Sequence, residues 1–172
     1  MRYLLDTNTV SYLFRGEGQI AAHMSRVTPA QIAIPAVVVL EIRYGLLKTP
    51  TRRIQAQFEE LLRWITVVPF DHETTVHAAK VRANAERRGR PIGAYDTLIA
   101  ATALQFDSIL VTRNVSEFRF VEGLQLADWF NATGPNRPLR INEPQPPAYL
   151  SASACGATQR ASRSISPSNW VI

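Results

Sequence analysis

The sequence predicts a three-layer α/β domain over residues 1–130, with a central parallel sheet flanked by helices, and an irregular, disordered tail over residues 131–172. Three observations predict it. Short apolar runs alternate with longer segments of helical period through the first part of the chain. Acidic residues stand directly after several of those runs. The alternation stops at Asp128-Trp129-Phe130, beyond which six of the eleven prolines lie among Ser, Ala, Asn and Gln with no sustained period. Such a segment buries too little apolar surface to offset its ordering entropy.

The elements follow in order. "RYLL" (2–5) reads as the first strand, and the acid that ends it without a glycine turn, in "LLDTN", reads first as a helix cap. Asp6 or Asn8 would accept hydrogen bonds from the free N–H groups of a helix over 9–14. "IAI" (32–34) is the second strand. The following "AVVVLEIRYGLLK" is ambiguous, because three valines argue for strand while the spacing of Val37, Leu40, Tyr44 and Leu47 argues for helix. Pro35 suits a first turn and Leu40, Glu41, Leu46 and Leu47 are good helix formers, so helix is predicted from Pro35 onward. "TRRIQAQFEELLRWI" places Ile54, Phe58, Leu61, Leu62 and Ile65 on one helical face. "TVVPF" (66–70) is the third strand, and "HETTVHAAKVRANAERRG" is a helix that ends in basic residues and Gly89. "YDTLIAATALQF" is another helix, with Leu98, Ile99, Thr102 and Leu104 as its inner side. "SILVT" (108–112) is the fourth strand and "LQL" (124–126) a short edge strand. Strands separated by helices imply right-handed crossovers, hence a parallel sheet covered on both faces.

Composition narrows the chemistry. A hydrophobic content of 46% describes a globular protein, and the richest apolar run, "IAIPAVVVLEI", is too short to span a bilayer and contains Pro35 and Glu41. The apolar stretch after Arg2 is interrupted at Asp6, unlike a signal peptide, so a cytoplasmic protein without membrane contact is expected. The single Cys155 forms no internal disulfide and no thiolate zinc site. His72 and His77 are five apart and share no helical face as a ligand pair, so a bound metal would be held by oxygen. Residues 1–130 carry 15 Lys and Arg against 13 Asp and Glu, so the predicted domain is only mildly basic. Seventeen of the 19 cations are arginine, which suits bidentate phosphate contacts and is also what a GC-rich genome produces.

In an open parallel sheet, ligands bind beyond the carboxyl ends of the strands, where strand order reverses. Asp6 follows the first strand, Glu41 lies about one and a half turns into the helix after the second, Asp96 sits in the first turn of its helix, and Glu117 comes shortly after the fourth strand. Each has an ordinary reading: Asp96 favours a helix N-terminus through the dipole, Glu117 is solvated, Glu41 is paired with Arg43. Together those readings are harder to sustain. Glu41 interrupts an apolar run, where an unpaired charge is costly. Two carboxylates about 4 Å apart repel by roughly 4 kcal/mol at an effective dielectric near 20. A cluster of them protonates or holds a cation, and a hard ion such as Mg²⁺, with Mn²⁺ as substitute, fits an oxygen-only donor set and completes its shell with phosphate.

"LLDTN", "VVLEIRYG", "GRPIGAYDTLIAATA", "ILVTRNVSEF" and "GLQLADW" together resemble the PIN-domain ribonuclease toxins of the VapC type, over residues 1 to about 130. The resemblance implies a PIN-like fold and makes Asp6, Glu41, Asp96 and Glu117 the metal-binding and catalytic acids, Glu117 standing where many members carry Asp. It gives Thr7, Asn8, Thr112 and Asn114 supporting roles around those acids. It further implies a Mg²⁺-dependent endoribonuclease, a VapB-like antitoxin partner that covers the acidic cleft by inserting an Arg, a homodimer formed through apolar helix faces, and a tRNA substrate, with "RPIGAYD" pointing to the anticodon loop of initiator tRNA.

A metal ion held by the four acids lowers the pKa of water and neutralises charge building on the phosphate, leaving 5′-phosphate and 3′-hydroxyl ends. Arg87, Arg88, Arg90 and Arg113 are the RNA-binding candidates. "ERRGRP" (86–91) is the leading phosphate contact, although it reads equally well as a solvated helix C-terminus. Tyr95 or Phe118 would stack on unpaired bases. A PIN-like module that binds RNA or protein without cleaving is the alternative. A phospho-signalling receiver is the weaker one, because only Asp6 follows the first strand and neither Lys48 nor Lys80 stands at a strand end. A haloacid-dehalogenase-like phosphatase lacks its second acid in "DTN".

Overall fold

The computed structural model of the chain describes residues 2–131. The tail expected over 131–172 lies, from residue 132 onward, outside the described residues. Five short strands, β1 (Arg2–Leu5), β2 (Ile32–Pro35), β3 (Thr66–Val68), β4 (Ser108–Val111) and β5 (Gln125–Ala127), form one sheet in the order β3-β2-β1-β4-β5. All its pairings are parallel. The helices are α1 (Thr7–Arg15), α2 (Ile20–Met24), α3 (Ala36–Lys48), α4 (Arg52–Trp64), α5 (His72–Arg87), α6 (Ala94–Gln105) and α7 (Val115–Phe118), with a 3₁₀ turn at Pro29–Gln31. The chain builds outward from β1 through β2 to β3, then returns to lay β4 on the other side of β1. Strand order therefore reverses between β1 and β4, and in open parallel sheets ligands bind beyond the carboxyl ends of the strands at such a point.

The apolar runs of β1, β2 and β4 form strands because they are covered on both faces, so they need no polar alternation. β2 and β4 are buried at every residue and β1 at three of four. The ambiguous segment is a helix: Pro35, at φ −62°, ends β2 and caps α3 from Ala36. α5 opens on Asp71, whose carboxylate accepts from the Thr74 N–H at 2.9 Å. It closes as its sequence predicts. Gly89 takes φ +63°, its N–H reaches Glu86 O and the Arg90 N–H reaches Ala85 O, which satisfies two terminal carbonyls.

The inner side of α6 differs from expectation. Ile99 and Thr102 are buried, but Leu98 and Leu104 are only partly so, and Thr97, Ala100, Ala101 and Ala103 are buried instead. Small residues take the inner positions because α6 is enclosed on several sides, with α5 against it along its length. α2, α7 and the 3₁₀ turn, each five residues or fewer, are too short to show a period and were not expected. The edge strand lies one residue later than predicted.

On α4, Phe58 is fully buried, Ile65 just past the helix is buried, and Ile54, Leu61 and Leu62 pack partly buried against the core. The Phe58 ring meets Phe14 edge-on, with centroids 6.2 Å apart. Phe58→Ala is expected to lower the free energy of unfolding by about 3–5 kcal/mol, measured as a fall in the urea midpoint.

Candidate active site

Sheet register brings the first acid to its partner. β1 and β4 pair so that Leu5 lies opposite Val111, and the chain continues on both sides as Asp6 and Thr112. The Asp6 N–H extends the ladder to Val111 O at 3.1 Å. Its side chain accepts a 2.6 Å bond from Thr112 Oγ1 and a 3.3 Å bond from the Asn8 N–H. Asp6 is thus the N-cap of α1, as the ordinary reading had it, and also a buried acid at the carboxyl end of β1, 2% exposed. Burial pushes its carboxyl up to about 6, against the opposing bonds from Thr112 and the backbone, and the Glu41 charge adds to the rise.

The other acids come from three further elements. Glu41 is half-buried on α3 and accepts a 2.5 Å bond from Thr7 Oγ1, which ties the start of α1 to α3. Burial raises its carboxyl, and the Thr7 bond partly opposes this. Asp96 stands in the first turn of α6, half-buried. Its carboxyl is pushed up to about 7, first by burial and then by the charges of Asp6, Glu117 and Glu41. Four carboxylates separated by more than a hundred positions therefore share one electrostatic environment. Gly93, the N-cap of α6, borders it closely: a Cβ there would lie 3.0 Å from Asp96 Oδ2. Glu117 lies exposed on α7.

The supporting residues act differently from one another. Thr112 is buried and links two segments, donating to Asp6 while its Oγ1 accepts the Asn114 N–H at 2.9 Å. Asn8 and Asn114 contribute through their backbone N–H groups, and Asn114 Oδ1 accepts from Ser116 Oγ.

Among the described residues no three or more His, Cys, Asp or Glu side chains are disposed to hold a metal ion as they stand. The donor set nonetheless fits a hard divalent cation. It offers only oxygen, and two of its carboxyls, Asp6 and Asp96, are raised into the near-neutral range by burial and by neighbouring acidic charge, a penalty that a cation relieves. Mg²⁺ binds in this way, through a few carboxylates and retained waters rather than a closed protein cage. Asp6, Glu41, Asp96 and Glu117 are the residues that could hold it.

Comparison with known proteins identifies the family. The PIN domain family model matches residues 3–122. A tRNA(fMet)-specific endonuclease VapC from Shigella flexneri is 30% identical over 131 residues, covering 75% of this chain and 98% of the relative. The chain belongs to the VapC-type PIN-domain ribonucleases. Solved structures of such VapC proteins superpose on it: DNA-bound VapBC from Salmonella typhimurium, 28% identical, has a TM-score of 0.70 over 75% of this chain and 98% of that one. VapBC2 from Rickettsia felis, bound to a DNA fragment from its promoter, is 27% identical, with a TM-score of 0.69 over 75% and 99%.

Around the acids of this PIN domain, the surface differs from expectation in two respects. Phe118 is fully buried beneath α7 and offers no face to a base, whereas Tyr95 is 50% exposed. Arg88 donates to Phe120 O at 2.9 Å and pairs with Glu122 at 3.3 Å, the Arg90 guanidinium lies 4.1 Å from the Phe120 ring centroid, and Arg87 bonds Asn84. Charge pattern alone could not tell these engaged arginines from free ones.

Proposed function

We propose that this VapC-type PIN domain is a Mg²⁺-dependent endoribonuclease toxin that cuts structured RNA, with tRNA as substrate and the initiator anticodon loop as the leading target. Asp6, Glu41, Asp96 and Glu117 form its cleavage centre. The observation that carries the reading is the electrostatic coupling of these acids near the sheet's switch point: the charges of Asp6, Glu117 and Glu41 add to burial in raising Asp96, a penalty that a cation relieves. Mg²⁺, when bound, supplies water activation and neutralises charge developing on the scissile phosphate. The chain's own groups do the rest. Asp6, Glu41, Asp96 and Glu117 would hold the ion, while Thr112 and Thr7 fix the orientation of the Asp6 and Glu41 carboxylates through 2.6 and 2.5 Å bonds. Tyr95, exposed beside Asp96, is placed to stack on an unpaired base.

The substrate preference draws support from the Shigella flexneri relative, whose name specifies tRNA(fMet). An antitoxin partner of the VapB type draws support from the VapBC assemblies in which the structural relatives were solved. Homodimerisation draws support from Leu40, Tyr44 and Leu47, an exposed apolar stripe on α3. No helix among the described residues is long and apolar enough to cross a membrane.

The test incubates the purified chain with total RNA, with Mg²⁺ or with EDTA, and maps the new ends. Mg²⁺-dependent cuts with 5′-phosphate ends, concentrated in one tRNA, are expected. Cutting in EDTA would remove the metal from the reading, and RNA binding without cutting would favour the non-cleaving module. Thr112→Val is expected to raise the Mg²⁺ concentration for half-maximal cleavage by about 10- to 100-fold, because the carboxylate that Thr112 orients becomes free to rotate.

A further inference from the structure

Four neighbouring carboxylates repel the RNA backbone they are proposed to cut, so substrate seating needs a cation beside them. The arginines at 87–90 are engaged along α5 and with the segment after α7, as described above. Arg113 is placed differently. It directly follows Thr112, the partner of Asp6, and so stands at the carboxyl edge of β4. It is exposed, and among the described residues no carboxylate pairs with it.

Exposure does not leave Arg113 loose. Its guanidinium lies 4.0 Å from the Phe130 ring centroid, and Nη1 donates to Tyr12 Oη at 3.1 Å. The two rings meet edge-on with centroids 4.7 Å apart. Phe130 is itself seated. Gly18, at φ +68°, presents no Cβ where one would lie 2.7 Å from the Phe130 ring, and Asp128 accepts from the Phe130 N–H at 2.8 Å. A second cation, Arg15, lies 4.9 Å from the Tyr12 centroid. The result is a guanidinium held in orientation by two aromatic side chains, with most of its fork still unused. A planar fork fixed in advance loses little entropy on meeting a phosphate.

We propose that Arg113, oriented by Tyr12 and Phe130, binds an RNA backbone phosphate flanking the one that is cut. The assignment rests on the ribonuclease reading above. It predicts that the backbone runs from the acids toward the β4 edge rather than toward the end of α5. Tyr12 and Phe130 are positioning residues, acting through Arg113.

The structural alternative is that the array only fastens the chain after β5 to α1, and the experiment separates the two. Full-length Asp96→Asn protein, kept from cutting, is titrated with fluorescently labelled unfractionated tRNA in Mg²⁺ between roughly 50 and 200 mM salt, alone and with Arg113→Ala, Arg113→Lys, Tyr12→Phe or Arg88→Ala. Losing one phosphate contact is expected to flatten the log affinity against log salt slope by about 0.7–0.9 in Arg113→Ala, and to weaken binding by about tenfold. Arg113→Lys restores the slope but not the full affinity, Tyr12→Phe weakens binding with the slope kept, and Arg88→Ala leaves both near the parent. An Arg113→Ala protein with a lower melting temperature but the parental slope overturns the proposal in favour of the brace, as does a parent that does not bind tRNA. Cleavage by the unmutated chain is measured separately. Cleavage with an unmoved slope sinks only this inference, whereas a flattened slope without any cleavage sinks the ribonuclease reading and leaves the phosphate contact standing.

Discussion

Asp96→Asn is expected to reduce RNA cleavage by at least about a hundredfold while leaving the chain folded. Asp96 is the acid on which the others act most strongly. Burial and the charges of Asp6, Glu117 and Glu41 together raise its carboxyl to about 7. The amide keeps the shape of the side chain at the first turn of α6 and removes the charge that attracts the ion. The same change relieves repulsion in the metal-free protein, so the variant should melt at a higher temperature than the parent in EDTA at pH 8. Loss of activity with gain of stability marks a functional acid, because a structural one would lose both. Cleavage is followed as single-turnover loss of intact tRNA, and stability as a thermal melt. Parental cleavage by the variant would take Asp96 out of the chemistry. Glu117→Gln is expected to have the smaller effect, since that side chain is exposed on α7.

Much of this molecule was legible in its sequence, and what was not has identifiable physical causes. The strands could be read because a parallel sheet covered on both faces leaves continuous apolar runs, and the helix after Pro35 because proline and the leucines outweighed three valines. The inner face of α6 was misread toward leucine. Close approach to α5 demands small residues, and an alanine-rich face carries almost no hydropathy signal. The acids Asp6, Glu41 and Asp96 could be singled out from strand-end positions. Which hydroxyl serves which acid could not, since Thr7 and Glu41 are 34 positions apart and Thr112 and Asp6 are 106 apart, and only sheet register and helix packing join them. The clearance that Gly93 leaves beside Asp96 is likewise a matter of tenths of an ångström. The arginines were the hardest, because sequence reports a charge without reporting what that charge already touches.

Without metal, the folded chain is expected to lose stability as pH rises from about 4 to about 7. Asp6 and Asp96 are raised from 3.8 to about 6 and about 7. Between their unfolded and folded pKa values the native state holds protons that the unfolded chain has released, so each step up in pH favours unfolding. Below about 4 both acids are protonated in both states, and above about 7 both are ionised in both, so the decline is confined to that window. Glu41, raised by burial, acts in the same direction. Asp71, lowered by its bonds to Thr74 at the start of α5, acts oppositely and only where acid begins to protonate it, below this range. Mg²⁺ should reverse the trend, since it binds the ionised acids alone: its stabilisation is absent near pH 5 and grows toward pH 8, reaching about 2.7 kcal/mol at a hundred times its dissociation constant. Thermal melts across this range, in EDTA and in Mg²⁺, would show two curves that meet in acid and separate as pH rises. Parallel curves would mean that the buried acids hold no common ion, because a cation that binds elsewhere has no reason to follow their titration.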